Sequence, residues 1–162
     1  MTATDTVEAL RQRLDELADR AALTDLLSRH GRWLDGGRFD ETRSIFTEDA
    51  TVTVASGQVR GVHAIAALAR RSHGRHARTH HLTTNPLITV NGDHAALTAQ
   101  QIAVFCLADG TPEFTVGEEY RMEAVRTPHG WRLSRVAAEL LWRTGPTATA
   151  PAHPRTSRSI SR

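Results

Sequence analysis

The chain has 162 residues, enough for one domain with a sizeable core, and its 40% hydrophobic content is that of a globular protein. Its formal charge is only +2 and all 20 basic residues are arginines, several of them in the last eight residues, so the body carries no basic footprint for nucleic acid. Without lysine there is no Schiff-base chemistry and no Walker-type phosphate loop. A single cysteine excludes an internal disulfide and a thiolate zinc cluster.

The N-terminus, MTATDTVEALRQ, has no apolar core of signal-peptide length, and no stretch approaches the ~20 apolar residues of a membrane span. A soluble, cytoplasmic protein is the expectation. Val7, Leu10, Leu14 and Leu17 recur at spacings of three and four, the mark of an amphipathic helix. A second helical pattern follows through Leu23, Leu26, Leu27, His30, Trp33 and Leu34. Either a new helix starts near Asp19 or Thr24, or one long helix covers both. Gly36-Gly37 closes the pattern, since glycine accepts the left-handed cap. Asp40 suits the start of a short helix through Phe46.

Residues 50–55 are a β-branched strand that turns at Ser56-Gly57 and pairs back through 58–60, and residues 62–71 are helical. Residues 72–78, with His73 and His76, read as a polar loop. Four strands then follow in meander order, at 79–90, 94–107, 113–126 and 131–142, separated by turns at Asn91-Gly92-Asp93, Asp109-Gly110 and Pro128-His129-Gly130. The fold class is α+β: a curved antiparallel sheet wrapped around the N-terminal helices, forming a cone-shaped cavity. The domain plan is a helical extension over 1–18, the cone domain over 19–144 and a disordered tail over 145–162, rich in proline, serine and threonine.

Several side chains could carry chemistry. Strand alternation puts His81, Thr83 and Asn85 on one face and His80, Leu82 and Thr84 on the other, unless an irregularity near Pro86 intervenes. A histidine on an internal strand can act as acid or base near neutral pH. Asp35 ends its helix, where the negative pole of the helix dipole disfavours a carboxylate. His30 and Trp33 share the apolar face of that helix. Tyr120 lies on one strand face with Phe114, Val116, Glu118 and Met122, and a buried Glu118 would have a raised pKa. Trp142 is taken as a further substrate contact; Arg135 and Arg143 are ambiguous because both faces of the last strand are apolar. Nine histidines show no HExxH or other paired spacing, so no metal site and no cofactor is expected. Both faces of the 94–107 strand are apolar, which predicts a homodimer through the outer face.

Three stretches, RHGRWLDGGRFDETRSIFTEDATVTV, HHLTTNPLITVNGDHA and GWRLSRVAAELLWRTG, resemble the SnoaL-like branch of the nuclear transport factor 2-like superfamily over roughly residues 15–144. That branch includes scytalone dehydratase-like and bile-acid dehydratase-like enzymes, polyketide cyclases and relatives of ketosteroid isomerase. In the bile-acid dehydratase type the catalytic aspartate follows a helix as Leu-Asp-Gly, which matches Leu34-Asp35-Gly36. Its catalytic histidine precedes a Pro-x-Ile-Thr strand, which matches His81 ahead of Pro86 and Ile88-Thr89. The tyrosine of that pattern falls on His30, and Arg143 lies near its late-strand arginine but out of register. The resemblance implies a cofactor-free acid/base enzyme, a cyclase, dehydratase or isomerase. Asp35, His81 and His30 would be catalytic, with Trp33, Glu118, Tyr120 and Trp142 around the substrate. The implied substrate is a small hydrophobic metabolite, polyketide- or terpenoid-like, of natural-product biosynthesis. The alternatives are a non-catalytic ligand-binding or dimerisation module and a cofactor-free oxygenase.

Overall fold

The computed structural model describes residues 3–146; residues 147–162, which hold most of the segment expected to be a disordered tail, lie outside the described residues. One helix, α1 (Ala3–Asp35), covers both N-terminal helical patterns without a break. A 3-10 turn (Phe39–Ser44) leads into β1 (Phe46–Val54) and β2 (Gly57–Arg60). Helix α2 (Val62–His73) follows, then β3 (Arg78–Asn91), β4 (His94–Cys106), β5 (Pro112–Thr127) and β6 (Gly130–Thr144).

The six strands form one sheet in the order β2-β1-β6-β5-β4-β3, antiparallel throughout except for the parallel pair β1/β6. The sheet alternates faces strictly along β4. Leu97, Ala99, Gln101, Ala103 and Phe105 are buried, while Thr98, Gln100 and Ile102 are exposed. Its inner face packs against Leu23, Leu26, Leu27 and Trp33 of α1 and Ile65, Ala66 and Ala69 of α2. Among the described residues no helix is long and apolar enough to cross a membrane.

The boundary near Asp19 is a clasp rather than a helix break. Its carboxylate accepts two hydrogen bonds from the Arg126 guanidinium, at 2.7 and 2.8 Å, and one from Trp131 Nε1 at 3.0 Å. Arg126 also reaches Asp93 at 2.9 Å and lies 4.5 Å over the Trp131 ring. N-terminal to this clasp, Val7, Leu10, Leu14 and Leu17 remain exposed.

Irregularities in the pairing of β3 and β6 decide which residues face inward. In β3 the pairing shifts between Thr84 and Leu87, and Asn85 takes a positive φ of 52°. The inner face therefore passes from Thr79, His81 and Thr83 to Ile88 and Val90. Asn85, expected beside His81, instead bonds Gln100 on the outer face at 2.8 Å. In β6 the pairing shifts between Glu118↔Leu140 and Gly117↔Trp142, so Leu141 is an extra residue.

Candidate active site

Between the inner face and the helices lies a cavity of about 330 Å³, at the lower end of the ~300–1,000 Å³ usual for ligand clefts. Its walls are largely apolar, with Leu34, Phe46, Val52, Ile65 and Phe105 among them. The polar groups gather in two places.

The first is the end of α1. Gly37 adopts the left-handed conformation (φ 62°) that stops the helix, and Gly36 N–H and Gly37 N–H close back on the carbonyls of Arg32 and Leu34. This leaves Asp35 against β3. Because Thr79 and His81 lie two apart on that strand, both face the carboxylate. Asp35 Oδ1 accepts from His81 Nδ1 at 2.6 Å and from Thr79 Oγ1 at 3.0 Å, and Oδ2 accepts from the His81 backbone N–H at 3.0 Å. Burial works to raise the Asp35 pKa, but the hydrogen bonds from the His81 side chain, its backbone and Thr79 outweigh it and hold the carboxylate below its ordinary value. These donors also offset the helix dipole. An ionised carboxylate can only accept, so the His81 proton sits on Nδ1 and Nε2 is turned toward the cavity wall. The His81 side chain is only 2% exposed.

His81 Nε2 in turn lies 3.2 Å from Nε2 of His73. The expectation of a polar loop from residue 72 is corrected here: α2 runs two residues further, through His73, and places Ser72 and His73 on the cavity wall. Burial, then the His81 charge, lowers the His73 pKa to about 4.

The second polar group is on β4 and β5. Gln101 is 2% exposed and spends its amide on two neighbours, donating to Tyr120 Oη at 2.6 Å and to Glu118 Oε2 at 3.0 Å. Its own oxygen accepts from Thr83 at 3.4 Å. Burial raises the Glu118 pKa against the opposing Gln101 bond, and burial followed by the Glu118 charge raises that of Tyr120. Gln101 was not singled out from the sequence. The signal was there, as a lone amide among Leu97, Ala99, Ala103 and Phe105 on an alternating strand.

His30 and Trp33 line the cavity as expected, but no hydrogen bond joins His30 to Asp35 or His81. It is buried against Trp33, Phe46 and Tyr120, with ring centroids 5.7–5.9 Å apart, and its Nδ1 has no partner among the described residues. Burial, then the charges of His81 and His73, lowers its pKa to about 3, so it is neutral.

Trp142 is a correction. It does not line the cavity: the extra residue at Leu141 turns it to the outer face, where its indole covers Gly117. The same bulge decides the placement of Arg143, ambiguous from the sequence: it lines the cavity with its guanidinium 3.8 Å from the Phe114 ring centre. Arg135 lies apart from the cavity, 3.6 Å from Glu123. Among the described residues no group of three or more His, Cys, Asp or Glu side chains is placed to hold a metal ion.

Comparison with known proteins matches residues 15–137 to the family described as SnoaL-like domain. No curated protein matches the sequence. Among solved structures, the Kfla4162 protein from Kribbella flavida is 29% identical, with a TM-score of 0.73 over 80% of this chain and 95% of that one. An NTF2-like protein with a cystatin-like fold from Novosphingobium aromaticivorans is also 29% identical, with a TM-score of 0.74 over 82% and 88%. A type 2 hexachlorocyclohexane dehydrochlorinase, LinA, is 25% identical, with a TM-score of 0.74 over 88% and 99%.

Proposed function

The chain belongs to the SnoaL-like domain family, and on that premise we propose that it is an acid/base enzyme of the lyase or isomerase type, working with its own side chains on a small apolar metabolite. The observation that carries this reading is the 2.6 Å Asp35–His81 bond at the wall of an apolar cavity, facing a second pair of polar groups.

His81 Nε2 takes a proton from a substrate carbon, and Asp35 holds the ring and stabilises the imidazolium that results. The electrons of the broken C–H bond form a double bond, either to a carbon whose substituent departs or into an adjacent carbonyl. Tyr120 and Glu118 are two apart on one face of β5 and so converge on one site. Gln101 already donates to the Tyr120 oxygen, which leaves the phenol proton free to point at a substrate oxygen. Burial raises the Glu118 pKa and so favours the protonated form, which can protonate a departing hydroxyl or share the charge of an enolate. Dehydration, isomerisation and cyclisation all use this arrangement. The dehydrochlorinase relative is named for a reaction of the same elimination class. The substrate we propose has a largely apolar, polyketide- or terpenoid-like skeleton with one oxygenated end toward Tyr120 and Glu118.

The test is a panel of β-hydroxy ketones, enolisable cyclic ketones and halogenated cyclohexanes, assayed with the wild type, Asp35→Asn and His81→Gln. Turnover that is lost in both folded variants supports the proposal. Turnover within about tenfold of wild type in either variant, or no turnover and no deuterium exchange on any substrate, sinks it.

We propose in addition that the chain is a homodimer. Leu82, Ile102 and Trp142 lie in one cross-strand row on the outer face and are 41–47% exposed. Light scattering at micromolar concentration reads the mass; a monomer there contradicts the proposal.

A further inference from the structure

The one nitrogen that Asp35 leaves to His81 is not free. It faces His73 Nε2 at 3.2 Å, and only one hydrogen fits between the two nitrogens. His81 keeps its Nδ1–H on Asp35 in every state, so two arrangements are open. In the first, His81 is neutral and bare at Nε2, and His73 donates its Nε2–H. In the second, His81 is an imidazolium and donates, and His73 must carry its own proton on Nδ1 instead.

The last turn of α2 accommodates both. His73 Nδ1 lies 2.8 Å from Ser72 Oγ and 3.3 Å from the Ala69 carbonyl. In the first arrangement the Ser72 hydroxyl donates to Nδ1. In the second, Nδ1–H donates to Ala69, and the Ser72 hydroxyl turns to the Leu68 carbonyl at 2.9 Å. Every hydrogen bond is met either way, and the two arrangements differ by one proton and the tautomer of His73.

From this geometry we infer that His73 is a proton-relay and positioning residue, through which the nearly enclosed His81 exchanges its proton with the exposed end of α2. The inference rests on the acid/base reading proposed above. The step balances: a proton arrives at His73 Nδ1, the Nε2 proton of His73 passes to His81 Nε2, and the charge comes to rest beside Asp35. Run in reverse, it clears an imidazolium His81: the Nε2 proton passes to His73 Nε2 as the Nδ1 proton of His73 leaves, and for His81 to take a proton from substrate His73 must first turn its own Nε2–H off that lone pair. The His81 side chain is 2% exposed, while Gly74 and Arg75, which follow His73, are exposed. His73 touches Phe105, with ring centres 5.5 Å apart, and lines the same cavity. The other titratable or charged groups facing the pair are Asp35 and His30 from α1, His76 from the connection after α2, Glu118 from β5 and Arg143 from β6.

The test needs no substrate. Nitrogen-15 NMR of the wild-type histidines, titrated from pH 8 downward, reads each ring nitrogen separately. The relay predicts one proton uptake that moves three signals at a single pH: His81 Nε2 gains a proton while the His73 proton passes from Nε2 to Nδ1. In His73→Phe, exchange of the His81 Nε2 proton with water should slow by roughly 10²-fold, the size of a positioned proton transfer. The inference is overturned if His73 keeps one tautomer while His81 titrates, or if exchange at His81 is as fast in His73→Phe as in wild type. The failures separate cleanly. A coupled NMR transition in a protein that turns nothing over removes the enzyme reading alone, whereas independent titrations in an active enzyme remove the relay alone.

Discussion

Replacing Asp35 with asparagine should abolish the base without unfolding the protein. The carboxylate accepts three hydrogen bonds, from His81 Nδ1, the His81 backbone and Thr79. Asparagine has one acceptor oxygen. If that oxygen serves His81 Nδ1 and Thr79, its NH₂ faces the backbone N–H of His81, and a donor left unpaired there costs roughly 1–3 kcal/mol. If it serves the backbone N–H, the NH₂ faces the imidazole, which must then move its proton to Nε2. Moving the proton is the cheaper outcome, and it removes the lone pair that would attack substrate. The same tautomer error in a serine-protease triad lowers kcat about 10⁴-fold. Here kcat/KM should fall by roughly 10³–10⁴, about 4–5.5 kcal/mol of transition-state stabilisation. Stability should fall by only about 1.5–3 kcal/mol, the loss of a hydrogen bond to a charged group, or roughly 3–10 °C in Tm. Turnover, or solvent deuterium exchange into an enolisable ketone, gives the rate. Nitrogen-15 shifts of His81 give the tautomer. A folded Asp35→Asn protein that keeps the His81 proton on Nδ1 and loses less than tenfold in rate would refute the reasoning.

Acid should destabilise the fold from near pH 6.5 downward. His30 and His73 stay neutral in the fold until about pH 3 and about pH 4, whereas the unfolded chain protonates both near 6.5, so their contribution is lost as pH falls through that window. Asp35 and Asp19, depressed in the fold, add a further loss below the ordinary carboxylate range, while Glu118, raised, opposes the trend. Urea titrations should show a slope on the order of 2 kcal/mol per pH unit near pH 5, and a flat profile between pH 6 and 4 contradicts the burial of the two histidines. Gly117→Ala puts a methyl 2.1 Å from the present position of Trp142 Cε2, so the indole must swing out. A cost of ~1–3 kcal/mol and easier iodide quenching of Trp142 fluorescence are expected, and an unchanged tryptophan environment counts against the outer-face placement. Arg126→Ala removes the clasp on Asp19 and Asp93 and should cost about 1 kcal/mol, with faster hydrogen exchange in α1 around Asp19. Unaltered exchange there means that the clasp does not hold the helix.

Much of this protein was legible in the sequence because the information is local. Period-2 alternation and turn glycines placed five of the six strands within two residues of their observed bounds, β1 starting at Phe46 and not at residue 50, and the Gly36-Gly37 stop put Asp35 at the helix end. The resemblance carried by those same stretches pointed to the family and to the pairing of Asp35 with His81, and the structure joins them at 2.6 Å. Continuity of α1 was left open because its outcome depends on a clasp made by residues more than 100 positions away.

What only the tertiary structure decided is where alternation breaks and which distant side chains then meet. One extra residue at Leu141 sends Trp142 out and Arg143 in, and nothing in LLWRT marks the slip, because the cross-strand partner sets the register. A polar stretch beginning at Ser72 read as loop, yet two more residues of α2 carry His73 onto His81 from eight residues away. Gln101 draws Glu118 and Tyr120 together from the neighbouring strand. Propensity and periodicity act within a strand or a helix. The site is made of contacts between them, and those exist only once the sheet has closed over the helices.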